Sequence, residues 1–182
     1  KEQGIEIPKN VAGLMLAAII SDTLLFRSPT CTKTDKEIAL ELASIAGVDA
    51  EEFGLAMFKA GTSLVGKTIE EIYNQDYKVF NIGDAKVGIA QVNTMDIDGF
   101  APLKGEMLEY MENLCVENGF DAAVLLLTDV INATSEVFVA GTHPEYVENA
   151  FNVQLVEHEA NLPGVISRKK QVVPAITRAI NA

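Results

Sequence analysis

The chain has 182 residues, is 48% hydrophobic and carries 14 Lys and Arg against 26 Asp and Glu, a formal net charge of −12. This length and composition suit one large core or two small ones, and they exclude a disordered or fibrous protein. Because the excess charge is negative, attraction to nucleic acid or to an anionic membrane is disfavoured, and we expect neither as a partner.

Only helices are predicted for the first third of the chain. The apolar run over residues 8–20 indicates a helix buried on nearly all sides, with Pro8 in its first turn. Its most apolar part, 11–20, is too short to cross a bilayer. The chain begins at Lys1 without an initiator methionine, and this helix follows at once. We therefore expect the chain to be a fragment of a longer protein, with its N-terminal segment missing.

Capping residues predict where the next two helices begin. The sequence Thr34-Asp35-Lys36-Glu37 has the form of a capping box, and the helix that it opens should end at Gly47. Asp49 is expected to cap a third helix, which ends at Gly61.

Beyond Gly61, strand patterns join the helical ones. The predicted elements are a short helix from the capping box Thr68–Glu71, a hairpin of strands over 76–82 and 86–92, a helix over 103–117, strands over 122–127 and 135–139, a helix over 143–151 and a last helix near 167. We therefore predict an α/β fold with a helical part over 1–62, a linker at 63–66 and a mixed-sheet α/β domain over 67–182.

The most informative motif is the basic run Ser167-Arg168-Lys169-Lys170-Gln171, which places three cations together in an acidic protein. A planar Arg fork and mobile Lys point charges suit the oxygens of phosphate or pyrophosphate. If a helix begins at Ser167 or Arg168, its free backbone N–H groups would add to these cations. The alternative is a solvated basic patch on a terminal helix.

Two further charged residues are candidates for the same chemistry. Asp22 ends the apolar helix, where a buried carboxylate would need a partner such as a divalent cation; the alternative is a cap or an Asx-turn with Thr23. Lys78 shares a strand face with Phe80 and Ile82, so it points into a cleft or extends along the apolar surface to water.

Other familiar chemistries find no support in the sequence. Cys31 and Cys115 match no metal-binding or redox spacing and indicate free thiols in a reducing cytosol, so we expect a cytoplasmic location. His143 and His158 fit no zinc or nucleophile pattern. The sequence contains neither GxxxxGK[ST] nor GxGxxG, which disfavours nucleotide triphosphatases and dinucleotide enzymes.

Two motifs together carry a resemblance to a known family. The segment AAIISDTLLFRSPT over 17–30 and the segment SRKKQVVP over 167–174 resemble the family II, manganese- or cobalt-dependent inorganic pyrophosphatases of the DHH phosphoesterase superfamily. The resemblance covers essentially the whole chain. It implies that 1–62 is the helical end of an N-terminal DHH metal-binding domain and that 67–182 is the C-terminal substrate-binding domain.

The resemblance also implies roles for individual residues. Asp22 matches a metal-ligating Asp, whereas Lys78, Arg168 and Lys169 match catalytic cations that hold and polarise the phosphate. Ser167 and Gln171 belong to the same substrate-binding box. The implied cofactors are Mn²⁺ or Co²⁺, with Mg²⁺ accompanying the substrate. The implied partners are pyrophosphate, phosphate and a second subunit in a homodimer of the intact enzyme.

The family's remaining metal ligands, including its DHH triplet, have no counterpart in these residues, so we expect the isolated chain to be inactive. One alternative is a related phosphoesterase that acts on polyphosphate or oligonucleotides, although a Gly-rich substrate box is expected there and none is present. Another is that the chain by itself is a non-catalytic anion-binding module.

Overall fold

The computed structural model describes residues 6–64, 66–95, 97–129 and 131–182. Residues 1–5, where the predicted fragment starts, and Val65, inside the predicted linker, lie outside the described residues. The chain divides into two compact units, Lys1–Thr62 and Ser63–Ala182. The assignment of the first unit to a metal-binding domain and of the second to a substrate-binding domain stays a prediction.

The first unit consists of three helices, α1 (Lys9–Thr23), α2 (Lys33–Ala46) and α3 (Ala50–Gly61). Helix α1 buries one face, which carries Ala12, Leu16 and Ile20 at a spacing of four residues. The prediction that this helix is buried on nearly all sides is wrong, since Leu14 is 73% exposed and Val11 and Met15 are also exposed. The described part of this unit covers only one side of an apolar helix.

The helix caps confirm part of the sequence prediction and correct the rest. Asp49 caps α3 as predicted, with its carboxylate accepting the backbone N–H groups of Glu51 and Glu52. Helix α2 is capped by Thr32, two residues before the predicted Thr34, in a reciprocal pair with Asp35. Pro8 precedes α1 as an extended N-cap residue and is not part of its first turn.

The second unit is a five-stranded mixed sheet with helices on both faces, which confirms the predicted fold class. Its elements are α4 (Ile69–Tyr73), β1 (Tyr77–Ile82), β2 (Ala85–Thr94), α5 (Lys104–Asn118), β3 (Ala122–Asp129), β4 (Thr134–Gly141), α6 (Glu145–Phe151), β5 (Glu159–Pro163), a π-helix (Arg168–Val172) and α7 (Val173–Ile180). The capping box at Thr68 and the hairpin of β1 and β2 are confirmed.

The strands follow one another in chain order across the sheet. Strands β2 and β3 are parallel, and each of the other neighbouring pairs is antiparallel. The one parallel pair needs a long crossover, and α5 lies within that connection. Strand β5 was not predicted: its sequence EANLP alternates polar and apolar residues, but the segment has only five residues and ends in Pro, which is uncommon within strands.

Side chains on the two faces of the sheet form two separate cores. One face packs against α4 and α5 through residues such as Leu125, Met107 and Tyr73. The opposite face packs against α6 and α7 through residues such as Leu126, Val147 and Ile176. Every residue of β3 is buried, as its continuous apolar run predicts. No helix among the described residues has both the length and the apolar character to cross a membrane.

Candidate functional site

The basic run forms a single capped turn of π-helix at the start of the last helix. The Ser167 hydroxyl accepts the backbone N–H of Lys170 at 3.2 Å, and the Ser167 carbonyl accepts the N–H groups of Gln171 and Val172 at 2.9 and 3.3 Å. The helix therefore begins at Ser167 and Arg168, as the sequence predicts. Such wide turns occur often at functional sites.

Gln171 folds the chain before the π-helix back onto this turn. Its side-chain oxygen accepts the backbone N–H groups of Ile166 and Ser167 at 2.9 and 3.0 Å, and its Nε2 donates to the Gly164 carbonyl at 2.7 Å. These bonds make Gln171 a residue that shapes the loop. A direct contact between Gln171 and a substrate stays a prediction.

A polar network on the sheet supports the same turn, and sequence reasoning missed it. Gln91 on β2 accepts the backbone N–H of Arg168 and donates to Thr128 Oγ1 and the Ile166 carbonyl, each at 3.0 Å. Thr128 in turn bonds Ser135 at 2.9 Å. A signal was available, because Gln91 continues the strand face of Val87 and Ile89, where an apolar residue is expected.

Arg168 is the buried member of the basic run. Its side chain is 8% exposed. Nη1 donates to the carbonyls of Asp76 and Ile89, the latter at 3.1 Å, and Nη2 donates to the Asp76 carboxylate at 2.6 Å. A buried guanidinium requires such partners, because desolvation of an unpaired charge is costly. Asp76 is therefore part of the site, although sequence reasoning did not select it.

Lys78 and Lys169 are exposed cations, one related to Arg168 by strand pairing and the other its neighbour in sequence. Lys78 lies opposite Ile89 in the β1–β2 pair, and the Ile89 carbonyl accepts a bond from Arg168. Lys169 follows Arg168 directly and is exposed, as is Lys170. The strand register thus places Lys78 opposite the residue whose carbonyl holds Arg168. Joint binding of an anion by Lys78, Arg168 and Lys169 stays a prediction.

The expected free N–H groups at the helix start are largely occupied. The backbone N–H of Arg168 is bonded to Gln91, and that of Lys170 is bonded to the Ser167 hydroxyl. An anion at this turn would therefore be bound mainly by side-chain cations.

Asp22 lies in the last turn of α1, within the first unit, and is exposed. Among the described residues its carboxylate accepts no hydrogen bond, so the alternative of a cap or Asx-turn is not supported. The chain then passes through three successive left-handed residues, Leu24, Leu25 and Phe26, with φ of 46°, 53° and 65°. The Thr23 hydroxyl holds this turn by donating to the Ile19 carbonyl at 2.6 Å and accepting the Phe26 N–H at 3.2 Å.

A complete metal site is absent from the part of the chain that the structure describes. No group of three or more His, Cys, Asp or Glu side chains there is arranged to hold a metal ion. Asp22 alone therefore does not fit a metal centre. A cleft of about 450 Å³ lies beside β4 and β5 in the second unit, but its lining includes Glu136, Glu157 and Glu159, which disfavours an anion.

Fold and site together define an α/β domain with an arginine- and lysine-bearing turn anchored to its sheet. The sequence profile of the DHHA2 domain matches residues 55–179. The chain belongs to this DHHA2 domain family.

Curated relatives match nearly the whole chain. A "Cobalt-dependent inorganic pyrophosphatase" of Clostridium perfringens is 57% identical over 179 residues, 98% of this chain and 33% of the relative. A "Probable manganese-dependent inorganic pyrophosphatase" of Clostridium acetobutylicum is 54% identical over 98% of this chain and 58% of its own length. The chain thus spans between a third and about three fifths of these relatives.

A solved structure gives the same result. The crystal structure of a "putative family II inorganic pyrophosphatase" from Methanococcus jannaschii superposes with a TM-score of 0.86 at 46% identity, over 98% of this chain and 58% of that one. The resemblance to the family II pyrophosphatases, stated above on two short motifs, is confirmed by these matches.

Proposed function

We propose that the intact protein to which this chain belongs hydrolyses inorganic pyrophosphate to two phosphates, with the second unit supplying the phosphate-binding cations. The observation that carries this proposal is the register of β1 and β2, which sets Lys78 opposite the residue whose carbonyl holds Arg168. Relatives named as pyrophosphatases support the choice of substrate.

Lys78 and Lys169 are exposed and would bind the outer oxygens of the substrate. Arg168, held at a fixed position by Ile89 and Asp76, would contribute a charge-assisted contact to a phosphate oxygen. Cationic side chains that are in position before the reaction begins stabilise the negative charge that develops on the departing phosphate. This stabilisation is the main contribution of such side chains to phosphoryl transfer.

We propose Mn²⁺ or Co²⁺ as the cofactor of the intact protein, with Mg²⁺ accompanying the substrate; the relatives are named for manganese and cobalt. Asp22 would be one ligand. Because the described residues do not form a metal site by themselves, the other ligands would have to come from outside these residues, and we propose that the isolated chain binds phosphate without turning over pyrophosphate. We further propose that the intact protein is a homodimer, which its sedimentation would test, and that it is cytoplasmic, which fractionation of cells would test.

The proposal is tested by measuring phosphate release from pyrophosphate by the intact protein with Mn²⁺. Arg168→Ala should reduce kcat/KM by the equivalent of about 3 kcal/mol or more, since it removes a charge-assisted contact in a partly desolvated site. Absence of activity in the wild type, or an unchanged kcat/KM in the variant, would refute it. Tripolyphosphate and a dinucleotide, tried in parallel, distinguish the related phosphoesterase activities.

Arg168→Ala also leaves Asp76 without its partner and so can lower stability. Arg168→Lys keeps the charge but loses the fork, and a folded Arg168→Lys variant should show an intermediate loss of kcat/KM.

A further inference from the structure

The bonds of Arg168 are unusual for a residue expected to bind substrate, because its guanidinium is already engaged. Both Nη atoms donate to protein oxygens, and these acceptors come from Asp76 and Ile89, which lie 92 and 79 residues away in sequence. An arginine has five N–H donors in a fixed plane, so these three bonds occupy both N–H groups of Nη1 and one of Nη2, and they leave one N–H of Nη2 and that of Nε.

The three acceptors are not equivalent. The carbonyls of Asp76 and Ile89 are neutral and are fixed by the backbone of the turn before β1 and by the sheet. The Asp76 carboxylate is charged, and its side chain is 55% exposed, whereas that of Arg168 is 8% exposed. The carboxylate can therefore move into water, but the two carbonyls cannot.

A phosphate oxygen and the Asp76 carboxylate have the same chemistry toward this guanidinium. Both are anionic acceptors that favour the same N–H donors at the same short distance. One N–H of Nη2 is bonded to Asp76 at 2.6 Å, so an anion can use that N–H only by replacing the carboxylate.

We propose that Asp76 is a positioning residue that holds the guanidinium of Arg168 before an anion arrives and then gives up Nη2 to a phosphate oxygen. This inference rests on the proposed role of Arg168 in phosphate binding. Asp76 thereby keeps a buried cation paired in the free protein and lowers its affinity for phosphate, including the product. The Asp76 carboxylate moves into solvent as the anion binds.

The test compares Asp76→Asn with Asp84→Asn in the intact protein. Both changes remove one negative charge near β1, but Asp76 lies just before that strand, whereas Asp84 is an exposed residue in the turn that joins β1 to β2, at the other end of the strands. Inorganic phosphate is the probe for binding by calorimetry, and pyrophosphate is the substrate for kinetics.

Asn keeps an oxygen acceptor but no charge. Asp76→Asn should therefore bind phosphate about threefold to tenfold more tightly than the wild type, with a lower KM and a lower kcat, while Asp84→Asn matches the wild type. A folded Asp76→Asn protein with an unchanged or weaker phosphate Kd would overturn the inference, because a merely structural ion pair would lower stability without tightening the binding of an anion.

The effect should also depend on Arg168. In an Arg168→Lys background, which lacks the fork, Asp76→Asn should tighten phosphate binding by less than about twofold. An undiminished gain there would overturn the inference. If Asp76→Asn does not fold, Asp76→Glu gives the second test: it keeps the competing charge, so its phosphate Kd should equal or exceed that of the wild type, and a lower Kd would overturn the inference.

These outcomes separate the two proposals. A wild type that hydrolyses pyrophosphate while Asp76→Asn shows no tighter phosphate binding refutes the role of Asp76 and leaves the function standing. A wild type that binds phosphate, with the predicted change in Asp76→Asn, but does not hydrolyse pyrophosphate refutes the function and supports the role of Asp76. No detectable binding of millimolar phosphate by either the wild type or Asp76→Asn refutes the role of Asp76, and the function is then decided by pyrophosphate hydrolysis alone.

Discussion

The side chain of Gln91 accepts the backbone N–H of Arg168 at 3.0 Å and so anchors the first residue of the π-helix to the middle of the sheet. The same amide donates to Thr128 on the next strand and to the Ile166 carbonyl in the preceding loop. One residue thus fixes where the basic run sits relative to two strands.

Removal of this amide should loosen the basic run. Gln91→Ala should lower the free energy of unfolding by about 1 to 3 kcal/mol, because partly buried donors and acceptors lose their partners. Thermal or urea unfolding measures the change. Gln154→Ala, at an exposed position, is the control and should change it by less than about 0.5 kcal/mol. Equal effects of the two substitutions would contradict the anchoring role of Gln91.

Neighbouring lysines of the basic run should differ in function. Lys169 and Lys170 are both exposed, so burial does not distinguish them. The resemblance assigns phosphate binding to Lys169, and Lys169→Ala should weaken phosphate binding by about tenfold or more. Lys170→Ala removes the same charge and should change it by less than about twofold. Calorimetry with phosphate measures both, and an equal loss would indicate a diffuse basic patch.

The backbone geometry at position 141, the end of β4, requires a glycine. Its φ is +107°, and a Cβ there would lie 2.6 Å from the Asp121 carbonyl oxygen. Gly141→Ala should destabilise the protein by about 3 kcal/mol or more, through strain and the clash with a backbone atom. Gly105→Ala, in α5, meets nothing within 4 Å and should be neutral or slightly stabilising. Thermal unfolding of both variants checks this, and a neutral Gly141→Ala would contradict it.

The buried thiol of Cys115 should make stability depend on alkaline pH. Burial, with a smaller contribution from the Glu112 charge, raises the pKa of Cys115 from its ordinary 9.0 to about 11. A group whose pKa is higher in the folded protein than in the unfolded chain stabilises the fold fully at pH values below its unfolded pKa. This stabilisation is lost as the pH rises through the folded pKa. The free energy of unfolding should therefore fall between about pH 8.5 and pH 11.

Cys115→Ala isolates this contribution, since other groups also titrate in that range. The variant should be less stable than the wild type at pH 8, and the difference should shrink by pH 11. Urea unfolding at the two pH values measures it. A constant difference would show that the thiol does not titrate with the predicted shift.

Local sequence was sufficient where a few neighbouring residues decide the structure. Thr68 and Glu71 cap α4 because each bonds the other's backbone within one turn. The same logic misplaced the start of α2, since Thr32 and Thr34 both offer a capping pattern and the reciprocal bonds form at Thr32. The apolar run of β3 likewise predicted a strand covered on both faces.

The tertiary structure decided what depends on distant residues. Strand β5 exists because it pairs with β4, and Asp76 and Gln91 meet Arg168 across more than 75 residues. The sequence by itself determined that the chain is an acidic α/β protein with a concentrated basic run that resembles a phosphate-binding box, because composition and short motifs are local. Only the folded chain showed that Arg168 is already paired, since a buried cation takes its partner from whichever strand the register places beside it.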